Sequence, residues 1–203
     1  MSINLIDYFS LAVFAFLLGA QLFWRPQAFK LIKLASYVSV IGVFLVLIIY
    51  SIVLYFFWEA ATFSRLLLPP HTSITYFLFF ILTRFWGQYL VSLFIALIFG
   101  LTAYKLNSKF GNRFMELEEP YLIFLALFFI GHPFWVIYFI SILAAEILFI
   151  IIRRLLGDQG RVSFYYLWLA VAIFVIILKE PNPLVIIPGL ESILKVFYLR
   201  FKL

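Results

Sequence analysis

The sequence predicts an all-α, polytopic helical membrane protein with about seven transmembrane helices, its N-terminus outside and its C-terminus inside. Three observations carry that expectation. Hydrophobic residues make up 67% of the chain and charged residues only 12%, more apolar surface than a soluble domain of this size can hide. Apolar runs of about 18 residues or more recur, the length a helix needs to cross hydrocarbon. Lysines and arginines gather beside the ends of alternate runs, as cytoplasmic loops require. A transmembrane β-barrel is excluded by the absence of period-2 alternation. No composition shift marks a linker, so 1–203 reads as a single integral membrane domain.

In order, the apolar runs cover 5–24, 35–58, 74–104, 120–152, 163–178 and 184–199. Each must be helical where it meets lipid, because hydrocarbon cannot satisfy backbone polar groups. The first is followed by Arg25, Lys30 and Lys33, read as a cytoplasmic loop before the second. The third carries Arg84, Gly87 and Gln88 in its middle and is longer than one crossing needs. Its 88–104 part is expected to span, with 74–86 lying at the outer interface or dipping in as a re-entrant arm. Lys105, Lys109 and Arg113 then mark a cytoplasmic loop. The run 120–152 is broken by Gly131-His132-Pro133, residues that end helices and make turns. A hairpin turning there keeps Arg153, Arg154 and Arg161 in the same compartment as the previous cluster, with each arm roughly 16 residues and about 24 Å long. Lys195, Arg200 and Lys202 close the chain inside, leaving Arg65 and Lys179 in outer loops.

The composition also bounds function. The net charge of +6 is spread in short clusters beside apolar runs, a topology signal facing anionic lipid and not a nucleic-acid surface. With no cysteine, disulfides, thiolate metal sites and cysteine nucleophiles are excluded. The first apolar run has no basic residue before it and no small-residue cleavage site, so it reads as a retained span. Gly-x-Ser-x-Gly, Walker and zincin patterns are absent. The acidic group Glu116, Glu118 and Glu119 does not make an aspartyl protease, since Asp7 and Asp158 are the only aspartates and fall on opposite faces.

Tyr8 leads into Phe16-Leu17-Leu18-Gly19 and Arg25, and Tyr37 precedes Gly42-Val43-Phe44-Leu45. Phe114, Leu117 and Glu119 enter the next run, His132-Pro133 interrupts it, and Arg153-Arg154 stops it. Residues 164–178 are followed by Lys179-Glu180-Pro181-Asn182. In that order the chain resembles the bacterial prolipoprotein diacylglyceryl transferases, seven-span enzymes that move diacylglycerol from phosphatidylglycerol to a lipobox cysteine. The resemblance implies a bacterial cytoplasmic (inner) membrane location, phosphatidylglycerol and a lipobox prolipoprotein as partners, and no metal or redox cofactor. It also implies a catalytic role for Tyr8. The sequence departs from the family at its third-span His, where Trp86-Gly87-Gln88 is the nearest counterpart, and at intramembrane positions now held by Ile48, Ala172 and Ile176.

Apart from the resemblance, two charged residues lie inside apolar runs, Arg84 and Glu146. Charge in hydrocarbon costs about 2.5–3.5 kcal/mol and so calls for a reason. A guanidinium fork matches phosphate oxygens, which makes Arg84 a candidate for a lipid headgroup, with Glu146 as its counter-charge or a proton carrier. A snorkelling Arg and an interface Glu, or one structural ion pair, remain open beside that. His132 could be an acid/base group or a polar turn residue at the interface, and His71 could join it only as a poor two-His metal site. Two function classes follow: a lipid-handling transferase, or a non-catalytic lipid-binding, scaffold or transport protein.

Overall fold

The computed structural model describes residues 4–113, 115–157 and 165–179. Phe114, Asp158, Arg161, Phe164, the Glu180-Pro181-Asn182 motif and the span expected over 184–199, with Glu191, Lys195, Arg200 and Lys202, lie outside the described residues. Within them the chain is helical, with no strand. The helices are α1 (Asn4–Phe23), α2 (Arg25–Ala60), α3 (Ile74–Ile81), α4 (Gly87–Lys109), α5 (Glu119–Ile130), α6 (Trp135–Leu155) and α7 (Leu167–Lys179). A 3-10 turn, Ser64–Leu67, follows α2, and a π-helical segment, Leu82–Trp86, joins α3 to α4. Four helical rods are long and apolar enough to cross a bilayer: Ile6–Phe23, Gln27–Ala60, Ile74–Lys109 and Trp135–Leu155. By contacts the helices group into two compact units, one over Phe29–His132 and one from the residues up to Ala28 and from Pro133 onward.

Three expectations need correction. No loop holds Lys30 and Lys33: α2 starts at Arg25 after the single residue Trp24, so both lysines ride on its first turns. The run 74–104 does not divide into a spanning part and a separate arm. It is one continuous rod to Lys109, because the polar stretch around Arg84 is absorbed by a wider helical turn and not by a break. Thr83 Oγ1 donates to the Phe79 and Phe80 carbonyls (2.8 and 3.2 Å), and the Gly87 N–H closes the wide turn on the Leu82 carbonyl. Thirdly, the break at Gly131-His132-Pro133 is present, but its arms are unequal, 12 residues in α5 and 21 in α6.

In the Phe29–His132 unit, α4 presents Tyr89, Ser92, Ala96, Gly100 and Asn107 as its buried face, a helical stripe of mostly small residues of the kind that lets backbones approach in membranes. The fit to α5 is closest at Gly100, where a Cβ would meet the Phe124 Cβ at 3.0 Å and the Pro120 carbonyl at 3.4 Å. Polar side chains of α4 fasten both ends of α5. Asn107 clamps the loop before it, donating to the Met115 carbonyl (2.8 Å) and accepting from the Met115 N–H (3.0 Å). Ser92 holds the turn after it, donating to the Gln88 carbonyl (2.6 Å) and accepting the His132 N–H (2.9 Å). Gly131 carries a φ of +77° at that turn, which a residue with a Cβ rarely adopts.

The contact of α2 with the α3–α4 rod is made by rings. Trp58 packs on Phe77 and Phe80 (centroids 5.2 and 5.0 Å), Tyr55 on Phe77 (5.3 Å), Tyr50 on Phe85 (4.8 Å) and Phe44 on Trp86 (5.7 Å). These pairs fix an antiparallel register. Leu68, from the connection, is buried with Phe77 and Ile81 beneath the tip of this hairpin. At the opposite end Phe29 meets Tyr121 edge-on (6.0 Å), which brings the start of α5 level with the start of α2 and its lysines.

In the other unit α7 packs against α1 and α6. The buried side of α1 is Ile6, Asp7, Ser10, Phe14, Leu17, Ala20 and Gln21, a spacing of three and four. Its ends grip α7 in antiparallel sense. Gln21 Nε2 donates to the Tyr165 carbonyl (3.4 Å), and Asp7 pairs with Lys179 Nζ at 2.8 Å. Asp7 stands in the first turn of its helix and Lys179 in the last turn of its own, so each charge also favours its helix dipole. On α6, the Tyr138 hydroxyl donates to the Trp168 carbonyl (3.2 Å).

Candidate functional site

The same rings that join α2 to α3 hold the two helices far enough apart to leave a groove. It has a volume of about 630 Å³, is open along one side, and is walled on α2 by Ile48, Ser51, Ile52, Tyr55 and Phe56. The other wall takes residues of α3 and the π segment from Ile74 to Trp86. That volume lies within the range of about 300–1,000 Å³ usual for small-ligand sites. Its polar groups are largely occupied internally: Ser51 Oγ donates to the Leu47 carbonyl (2.7 Å) and accepts the Trp86 Nε1–H (3.1 Å). What remains is an apolar surface suited to a chain and not to a polar metabolite.

Arg84 sits in the π segment between Leu82 and Trp86; those two line the groove and Arg84 does not, since two residues along a helix turn a side chain to the opposite face. Its side chain is exposed, and no hydrogen bond or ion pair engages it among the described residues. An exposed cation on a helix that also walls an apolar groove can take a phosphate, and the groove a hydrocarbon chain.

The other residues expected at a site are placed elsewhere. His132 is exposed at the α5 turn, its N–H on Ser92, in the same unit as Arg84. Tyr8 is 62% exposed on α1, next to the buried Asp7, and Glu146 is half-buried in the middle of α6; both belong to the other unit. None of Tyr8, Arg84, His132 and Glu146 lines the groove. His71 is exposed in the tip connection, and no group of three or more His, Asp or Glu side chains gathers as metal ligands among the described residues.

Comparison of the chain with protein-family models, with curated proteins and with solved structures finds no match.

Sequence reasoning missed the groove and two polar pairs. Ser51 is a hydroxyl inside an apolar run and Trp86 an indole one residue from a glycine, and neither pattern announces a partner 35 residues away. Asp7 and Lys179 were legible as charges at opposite ends of the described chain, and only folding shows that each is the other's counter-ion. Asp7 is therefore held in an ion pair that ties the start of α1 to the end of α7.

Proposed function

We propose that the protein is a membrane-embedded phospholipid-binding protein whose site is the groove between α2 and α3, with Arg84 holding the headgroup phosphate and the groove holding an acyl chain. The single observation that supports this most is Arg84 itself, an exposed cation with no partner among the described residues, on the apolar helical rod that also forms one wall of the groove. The levels of the helices suit it. The apolar run of α2 is bracketed by Lys33 and Glu59, and Trp58, just before Glu59, packs on Phe80. Taking that pair as the hydrocarbon boundary, Arg84 lies four residues further in, about 6 Å, within reach of the interface for a snorkelling arginine.

The topology proposed with it has about seven membrane-embedded segments, with α5 short of a full crossing, N-terminus outside, in a bacterial inner membrane. Pairing of Asp7 with Lys179 supports it, since that topology puts both residues on the outer side. The groove would then face the outer leaflet, and phosphatidylglycerol, an anionic phospholipid, fits both Arg84 and the resemblance noted in the sequence. Binding and not transfer is the reading favoured, because the groove supplies no acid/base residue and its serine is already bonded.

The test is the Arg84→Gln variant, purified from membranes in mild detergent, with co-purified lipid quantified by mass spectrometry. Retained anionic phospholipid should fall several-fold while zwitterionic lipid stays unchanged. Equal anionic retention in the variant and the parent would overturn the headgroup role.

A further inference from the structure

The short helix α5 ends in the wrong place for a transmembrane turn. Its 12 residues rise only about 18 Å, against about 30 Å of hydrocarbon. It starts level with the lysine-rich end of the unit, where Tyr121 meets Phe29, and finishes where Ser92 bonds the His132 N–H. On the α4 rod, Ser92 lies 13 residues from Lys105 and 12 residues from Phe80, about 20 Å and 18 Å of helix respectively. The turn therefore falls near the middle of the membrane, given that the α2 and α3–α4 rods span it as proposed above. On that reading the turn lies deeper than the interface expected from the sequence, because Ser92 holds it at the centre of the α3–α4 rod.

Non-helical backbone at that depth is tolerated where it is buried in protein or where it meets water. Gly131 is buried, but His132 is exposed, with Gln88 half-buried one turn from Ser92. We propose that an aqueous cavity reaches into the bilayer as far as this turn, so that His132 is a water-accessible polar side chain at mid-depth. Its ligands are water and the protons and small polar groups that water carries.

The chain contains no cysteine, so single substitutions report cleanly. His132→Cys and Gln88→Cys are treated in intact membranes with a membrane-impermeant cationic thiol reagent. Arg65→Cys in the tip connection serves as the aqueous reference. Phe94→Cys, two residues from Ser92 and 66% exposed, serves as a reference at the same depth on another face. Labelling at 132 or 88 should approach the rate at 65, whereas 94 should react roughly a hundredfold slower, the factor set by the cost of placing a charge in hydrocarbon. Silence at both 132 and 88, with full labelling after denaturation, would overturn the aqueous cavity and leave the spanning reading intact. Rapid labelling at 94 as well would instead overturn the spanning reading, and the cavity inference with it.

Discussion

The α4/α5 seam and the α2/α3 seam lie in the same unit and solve the same problem in opposite ways. Between α4 and α5 the contact is small residues and hydrogen bonds: Gly100 against Phe124, with Ser92 and Asn107 fastening the ends. Between α2 and α3 it is rings on rings, with one side-chain hydrogen bond, Trp86 to Ser51. In lipid there is little hydrophobic gain from bringing helices together, so packing and polar contacts decide how close they come. Small residues close the first seam. Large rings prop the second open, and the space they leave is the groove. One seam is thus built to fix a short helix in place, and the other to keep a cavity available.

That contrast can be broken most severely at Gly100. A Gly100→Leu substitution drives a side chain into Phe124 and should cost about 3 kcal/mol or somewhat more, the upper range for overpacking. Thermal unfolding in detergent would read it, and an unchanged midpoint would show that the close approach is not the basis of the seam. A smaller effect is expected from Ser92→Ala. It leaves the His132 N–H without its partner at a part-buried turn, for about 1–3 kcal/mol, and should raise amide exchange at Gly131 and His132 before it exposes the rest of α5. The smallest belongs to the ring seam. Trp86→Phe keeps a ring against Phe44 but loses the bond to Ser51, so stability should shift by under about 1 kcal/mol. Lipid retention is the sharper readout there, and a collapse in stability instead would mean that the single hydrogen bond, and not the rings, holds α2 to α3.

Much of the fold was legible in one dimension. The apolar runs marked all the described helices, and the Gly131-His132-Pro133 break was visible because glycine and proline punctuate helices whatever surrounds them. Arg84 was visible because a charge inside an apolar run is rare on energetic grounds. Its setting was not. The polar stretch Arg84 to Gln88 reads as an interruption, and whether a helix breaks there or widens by a residue depends on hydrogen bonds such as those of Thr83, which composition does not specify. The depth that α5 reaches was hidden for a related reason. Nothing in the run 120–130 says how deep it goes, since depth is set by the partner that holds its end.

The sequence by itself determined that the chain is helical and rich in apolar segments long enough to cross a bilayer, because hydropathy and length are local properties and hydrocarbon leaves backbone no alternative to helix. Tertiary structure alone decided which polar groups meet. Asp7 found Lys179 across 172 residues, Ser51 found Trp86, and Ser92 pinned the turn after α5 half-way along the α3–α4 rod. Such pairings depend on register and on the distance at which side-chain size holds two helices, and both are fixed only when the helices pack.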